Sequence, residues 1–379
     1  MPAAELQGLY GMDTRSFDAI VVGAGMAGAT AAAHLAPTHR IALLEAEESA
    51  GYHATGRSAA IWILNYGNAD TRILTGASRS FFEAPPEGFG ALAHRRAILS
   101  LAPEEQREAM GRMLAIGQGL VEISVAEARA MVPAIRPDYP IGAVIERDAF
   151  DIDVAALHQG FLRIVKAHGG ALELRRRTAR IWHEAGLWHA ETSGGDVFTA
   201  PSVVNAAGAW GDVVAEAAGV RPLGLQPKRR TALIVDPAPW DSTEWPLVGD
   251  VAHSWYARPE ARSKLMVSPA DETDSDPTDA QPDEYDVAVA VDRMQAGLDI
   301  EVKRVEHRWA GLRSFTPDRS LAIGASERPG FFWMCGQGGY GIQTAPAAGR
   351  LIAALVARRA PDADVAAAIP LTDPRRFHA

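Results

Sequence analysis

At 379 residues, with 47% hydrophobic and 22% charged side chains, the chain is too long for one small core and reads as a soluble globular protein of two interleaved domains. Its net charge of −10, with no basic run interleaved with aromatics, argues against a nucleic-acid-binding surface. The single cysteine, Cys335, excludes an internal disulfide, no apolar stretch is long enough to span a bilayer, and the polar start Met1 to Ser16 reads as a flexible lead-in rather than a signal peptide. These features predict a cytoplasmic protein, with peripheral attachment to the inner face of the membrane left open.

The first predicted element is an apolar strand, Phe17 to Val22, running into Gly23-Ala24-Gly25-Met26-Ala27-Gly28. An alanine-rich helix follows to Leu35, and a second apolar strand, Ile41 to Leu44, ends at Glu45. Strand, glycine turn, helix and strand in this order form a dinucleotide-binding unit. Gly23 and Gly25 allow the tight turn and close approach to a pyrophosphate, Gly28 lets helix and strand pack, and the helix N-terminus faces the phosphates. Glu45 stands where a carboxylate can bond the ribose hydroxyls of an adenosine.

A helical stretch containing Phe81 and Phe82 ends at Pro85-Pro86-Glu87-Gly88. Ile98 to Leu101 reads as a strand, Pro103 opens a helix, and a short helix at Val125 to Met131 stops at Pro133. Asp153 to His168 has helical apolar spacing, Ala171 begins a run of short strands, and Val203-Val204 is a buried strand leading to Gly208. From Pro227 to Val267 the pattern turns β-rich, and the acidic stretch Asp271 to Asp286 reads as a solvated loop rather than a cation site. A helix over Asp286 to Leu298, a strand at Phe331 to Met334, a second glycine turn at Gly336 to Gly341 and a helix over Thr344 to Ala357 complete the chain. The β-rich middle is therefore inserted into the nucleotide-binding domain.

Two later segments favour FAD over NAD. Gly51 to Ala60 places small and polar residues just after the second strand, and Gly336 to Thr344 supplies another glycine corner. An outstretched cofactor needs both, with the last helix N-terminus beside the flavin. On these stretches, together with Ala156 to Gly160, Val204 to Trp210, Ala218 to Arg230 and Trp309 to Phe315, the chain resembles the D-amino-acid oxidase-like flavoproteins over about Phe17 to Leu355. Within them it is most similar to bacterial FAD-dependent D-amino-acid dehydrogenases of the D-arginine type.

The resemblance implies an α/β fold: a Rossmann-like FAD domain of the glutathione-reductase type with an interleaved substrate domain on a mixed, largely antiparallel sheet. It places the FAD domain at 17–80, 146–222 and 310–370, the substrate domain at 81–145 and 223–309, and the lead-in at 1–16. It implies FAD contacts at Ala27, Glu45, Ala54, Thr55, Gly56, Arg57, Ser58, Ala59, Ala60 and Ile61. Further contacts fall near Thr178 and Gly208 and at Gly338, Gly339, Tyr340, Gly341, Ile342 and Gln343. Covalent-flavin members carry a cysteine near the position of Ser314; Cys335 lies elsewhere, so non-covalent FAD is expected.

The implied activity is oxidative deamination of D-amino acids to a 2-oxo acid and ammonia, by hydride transfer from Cα to flavin N5, with electrons passed to a quinone or other non-oxygen acceptor. Such chemistry needs a cationic clamp for the substrate carboxylate, and Arg313 is the leading candidate, with Arg230 second. Tyr66, Tyr256, Gln343 and Gly339 are candidates for the remaining substrate contacts; no general base is assigned, and the oligomeric state is left open, a monomer included. Relatives that take cationic substrates carry a carboxylate where this chain has Ala97 and an imidazole where it has Ile61, so neutral, apolar side chains are expected. An oxygen-dependent glycine/sarcosine-type oxidase releasing peroxide is the alternative, and a non-catalytic flavin subunit a weaker one. Neither GxSxG, HExxH nor CxxC occurs, so no activated serine or zinc site is signalled.

Overall fold

The computed structural model describes residues 14–377. A six-stranded sheet forms the first lobe, in the order Ala171–Glu173, Ile41–Leu44, Ala19–Val22, Ser202–Asn205, Phe331–Cys335 and Ala322–Ala325. All neighbours run parallel except the last pair. The strands Ala19–Val22, Ile41–Leu44 and Phe331–Cys335 are buried throughout, as continuous apolar runs require when both faces of a parallel sheet are covered. The helices Met26–Leu35, Val154–Ala167, Ala69–Glu83 and Gly341–Val356 share one hydrophobic cluster with this sheet. Small residues let them approach closely: a Cβ at Gly349 would lie 2.3 Å from Thr30 Oγ1, whose hydroxyl donates to Ala345 O at 3.0 Å.

The other sheet face is covered by a four-stranded sheet, ordered Thr14–Ser16, Val197–Ala200, Leu187–Thr192, Thr178–Glu184. Trp188, Phe198, Phe331 and Trp333 fill the space between. Of the lead-in expected over 1–16, residues 1–13 lie outside the described residues. Its last part is not a flexible tail: Thr14–Ser16 pairs in parallel with Val197 to Thr199, and Arg15 bonds Glu173.

The second lobe is a nine-stranded sheet that includes Ile98–Ala102, Gly142–Glu146, Gln226–Val235, Leu247–Asp250, Tyr256–Glu260, Lys264–Ser268 and His307–Phe315. It is antiparallel except where Leu247–Asp250 runs parallel to Ile98–Ala102. Period-2 alternation sorts its faces. Leu99, Leu101, Ile145, Val248, Ala257, Val267 and Leu233 point into a core shared with the helices Val125–Met131 and Glu284–Gly297. The opposite face looks towards the first lobe. The strand His307–Phe315 pairs along its length with Ile234 to Gln226, so it crosses the domain boundary expected at 310 and belongs to this sheet.

The acidic segment is largely solvated, as its composition suggested, with Glu272, Asp274, Asp276, Asp279, Asp283 and Glu284 exposed, but it also pairs with a basic strand. Asp286 is buried and Asp271 half-buried with its side chain covered; Asp271 accepts from Thr231 N at 2.7 Å, and Asp286 from Arg229 at 2.7 Å. Asp274 pairs with Lys228, and Asp279 with Arg57. The acids are counter-ions for the basic run Lys228-Arg229-Arg230, distant in sequence and adjacent in the sheet. No group of His, Cys, Asp or Glu among the described residues is arranged to hold a metal.

Candidate cofactor and substrate site

The first glycine corner is built as the sequence demands. Gly23 has φ +98°, and a Cβ there would lie 2.6 Å from Ala206 O; one at Gly28 would lie 1.7 Å from Gly23 O. At the N-terminus of the helix starting at Met26 the cap residue is Gly25, which has no side chain of its own to cap it; the side-chain contact there comes from the neighbouring turn, where Thr55 Oγ1 accepts from Met26 N. Glu45 stands at the strand end with its carboxylate accepting from Ala24 N at 2.9 Å and Glu47 N at 3.0 Å. His158 Nε2 meets Ala24 O at 2.9 Å, and burial pushes the imidazole below its ordinary pKa. The ring is therefore neutral, with Nε2–H donating to the carbonyl.

This has a sign that can be checked. A histidine whose folded pKa is depressed stabilises the fold above its unfolded value, about 6.5, and that contribution is lost as the pH falls through the lower folded value. Acidification from pH 7 towards 5 should lower the Tm and release flavin. His158→Asn should show a smaller loss of Tm over that window than the wild type; an unchanged pH slope would remove His158 from this role.

The segment after the second strand is a staple between the lobes. The 3-10 turn Ala54–Arg57 is pinned to the first helix by Thr55 Oγ1, which accepts from Met26 N at 2.9 Å. Arg57 donates to Ala310 O at 2.9 Å and Ala280 O at 3.1 Å and pairs with Asp279 at 2.5 Å, so its guanidinium is fully engaged across the interface. Arg258 donates to Ala59 O at 2.7 Å, Ser58 Oγ accepts from Ala60 N at 3.1 Å, and Ala60 takes a left-handed φ of +54°. Thr178 begins a strand beside Glu45, since Arg176 N donates to Glu45 O at 2.7 Å, and the Thr178 hydroxyl is buried without a partner. Gly208 has φ +56° and opens into free space.

The second corner, Gly336 to Tyr340, leads into the helix Gly341–Val356, whose N-terminus carries no side-chain cap. Gln337 Nε2 is buried there without a partner. A positive, uncapped helix end beside an unsatisfied amide suits an electron-rich heterocycle. Ile342 turns into the core, and Tyr340 is buried against Tyr66 and Phe315, which pushes its phenol up to about 12.

On the sheet facing this corner, register decides which side chains reach the site. Arg230 stands opposite Gly311, so Arg230 and Arg313 share one face in diagonal positions. Tyr256 lies on the same face, opposite Ser268 and Gly249. Arg313 donates to Tyr66 Oη at 3.1 Å, and its guanidinium closes on Gly339, where a Cβ would lie 2.8 Å from Nη1. Burial opposes its charge, but Tyr66, Tyr256 and Glu272 outweigh that and raise its pKa. Burial, and then the charge of Arg313, lower that of Arg230. Burial would raise the Tyr256 phenol, yet Arg313 and Arg230 pull it below its ordinary value. Like charges sharing one face, with a phenol that both of them pull below its ordinary value, can receive an anion.

Two sequence-based assignments change. Gln343 does not face substrate: it is buried, with its amide bonded to Ile63 N at 3.3 Å, Ile63 O at 3.2 Å and Thr75 Oγ1 at 2.7 Å. It holds the strand Ile61–Trp62 and its continuation to the last helix. Ala97 is on the wrong face, packing with Leu99 and Leu101 against the far core, while its neighbour Ile98 points to the site side. Ile61 clusters with Ile98, Ile63, Leu247 and Tyr256, an apolar wall beside the two arginines. His253, unmarked in the sequence, also reaches the site. Its φ is +55°, its ring is 6.4 Å from that of Tyr66, and the residue is exposed.

The comparisons fit this geometry. The model of the family described as FAD dependent oxidoreductase (DAO) matches residues 18–355. The chain belongs to the FAD-dependent oxidoreductase family. FAD is its cofactor, and the residues that would hold it are the two glycine corners, Glu45 and the Ala54 to Ala60 segment. Among curated relatives, FAD-dependent oxidoreductase domain-containing protein 1 of Bos taurus is 30% identical over 41% of this chain; the chain spans only 35% of that protein. Glycine oxidase of Pseudomonas aeruginosa is 28% identical over 93% of this chain and 98% of its own length. Among solved structures, glycine oxidase from Geobacillus kaustophilus superposes with a TM-score of 0.80 at 23% identity, over 92% of this chain and 97% of that one. L-proline dehydrogenase from P. horikoshii gives 0.83 at 20%, over 96% and 98%. These structures share the fold of the flavoprotein. No helix among its described residues is long and apolar enough to cross a membrane.

Proposed function

We propose that this flavoprotein oxidises neutral, apolar α-amino acids of the D series to the 2-oxo acid and ammonia. The observation that carries the reading is the pairing of Arg313 and Arg230 on one sheet face, with Arg313 lying on Gly339 of the second glycine corner. When bound, FAD supplies the acceptor for the two electrons that leave Cα with its hydrogen. The protein's part is orientation. Arg313 and Arg230 hold the carboxylate, Tyr66 and Tyr256 donate to it, and the wall of Ile61, Ile63, Ile98 and Leu247 receives an aliphatic side chain and excludes water. A cationic side chain would meet this wall unpaired, at a cost of several kcal/mol.

The D hand follows the likeness of the sequence motifs to D-amino-acid dehydrogenases, and the expected acceptor is a quinone or another non-oxygen oxidant. Cys335 is buried in the first lobe with its thiol pushed up to about 12, which supports FAD held without a covalent link. The second reading, a glycine/sarcosine-type oxidase, is favoured by the near full-length similarity to a glycine oxidase. Anaerobic bleaching of the flavin spectrum by paired D- and L-amino acids tests the substrate, and peroxide release on admitting air tests the acceptor. Bleaching by D-leucine and D-methionine without peroxide is expected; bleaching by glycine or sarcosine alone, with peroxide, would establish the second reading instead. The wall predicts a further result. Ile98→Ala should lower kcat/KM for D-leucine about tenfold relative to D-alanine, while Ala97→Ser leaves that ratio unchanged.

A further inference from the structure

One carboxylate already sits at this cation pair. Thr273 and Asp274 pair with Arg229 and Lys228, which holds Glu272 at the level of Arg230 on the neighbouring strand. Glu272 Oε1 lies 2.9 Å from Arg319 Nη2 and 3.4 Å from Arg230 Nη2, and its side chain is 34% exposed. Burial alone would raise its pKa, but Arg319, Arg230 and Arg313 outweigh burial and hold it below the usual carboxylate range. Arg319 is itself fixed, its guanidinium 3.9 Å above the Phe315 ring. Arg230 has a second anchor, its Nε donating to Asp271 O at 2.8 Å, so it keeps its place without Glu272. Arg313 has no ion pair within 4.0 Å among the described residues, so Glu272 and an incoming carboxylate compete for one patch of positive charge.

We propose that Glu272 is a specificity-determining residue: a fixed negative charge at the rim of the clamp that partly occupies Arg230 in the free enzyme and turns away substrates bearing a second carboxylate. The inference rests on the clamp reading given above. A monocarboxylate takes over the Arg230 Nη2 that Glu272 holds only at 3.4 Å, while Glu272 stays on Arg319 at 2.9 Å. A dicarboxylate adds a second negative charge to a site whose positive charge Glu272 already partly neutralises, and Arg319 keeps that charge in place. A residue with a merely structural role would weaken binding when changed. This one should strengthen it.

The test is calorimetric titration of FAD-loaded protein with 4-methylpentanoate and with glutarate, the deaminated skeletons of leucine and glutamate, in the wild type, Glu272→Gln and Arg313→Met. Glu272→Gln keeps a polar partner for Arg319 and should tighten 4-methylpentanoate about threefold and glutarate about thirtyfold, the difference shrinking in high salt. A second readout is turnover: D-glutamate should gain on D-leucine in Glu272→Gln and equally in Glu272→Ala. Equal or weaker carboxylate binding in Glu272→Gln, or no binding in either protein, would overturn the proposal. Unchanged affinity in Arg313→Met would instead sink the clamp itself, and the two failures are told apart within one set of titrations.

Discussion

Arg313→Met should lower kcat/KM for amino-acid substrates about 10³-fold while leaving the flavin spectrum and the Tm close to those of the wild type. The size follows from truncating a buried, charge-assisted pair, which costs roughly 2–5 kcal/mol because the partner charge is left without its fork. Most of the loss should fall on binding, since the carboxylate contact exists before and during the reaction. Arg313→Lys should recover only part of it, because an ammonium cannot reproduce the two parallel hydrogen bonds of a guanidinium. Arg230→Met should cost less, since Arg230 is already shared with Asp271 and Glu272. Stopped-flow flavin reduction over a substrate series separates the two effects. An unchanged substrate affinity in Arg313→Met would mean that the carboxylate docks elsewhere.

The second large effect is expected at the first glycine corner, where two neighbouring substitutions should behave differently. A Cβ at position 28 would overlap Gly23 O at 1.7 Å, a backbone atom that cannot move without opening the turn. Gly28→Ala should therefore give little folded protein. A Cβ at position 25 would meet only Thr55 Oγ1, at 3.3 Å, the end of a side chain that can turn aside. Gly25→Ala should fold, retain most of its Tm, and bind FAD on the order of tenfold to a hundredfold more weakly, because the added methyl group stands between backbone and pyrophosphate. Flavin content per folded protein is the measurement. Full occupancy in Gly25→Ala would show that the pyrophosphate does not approach this residue.

The first lobe was legible because its strands are short runs of apolar residues with glycine at each turn, and its cofactor corner depends on contacts within a few tens of residues. The residues that the fold brings together, Arg313, Arg230, Tyr66 and Tyr256, were legible by type, as groups suited to a carboxylate. Facing was harder to read. Ala97 and Ile98 differ by one position, and only the pairing of Ile98 with Leu247 and Glu146 decides which of them meets the site. Gln343 sits at the start of the last helix, where a cofactor contact was expected, yet its partners, Ile63 and Thr75, lie far away in sequence. His253 carries no local motif; its left-handed backbone and its neighbour Tyr66 become visible only in three dimensions. The acidic stretch was read as solvated and most of it is, but composition could not reveal the basic strand brought alongside it.

The staple at Arg57 has a mechanical consequence. Its guanidinium reaches Asp279, Ala280 O and Ala310 O while its own carbonyl accepts from Trp309, so the Ala54–Arg57 turn is welded to the second-lobe sheet from both ends. Hinge bending between the lobes would break these bonds together. Traffic into and out of the reaction chamber must then pass by local displacement of rim segments, and heating should melt both halves in a single calorimetric peak.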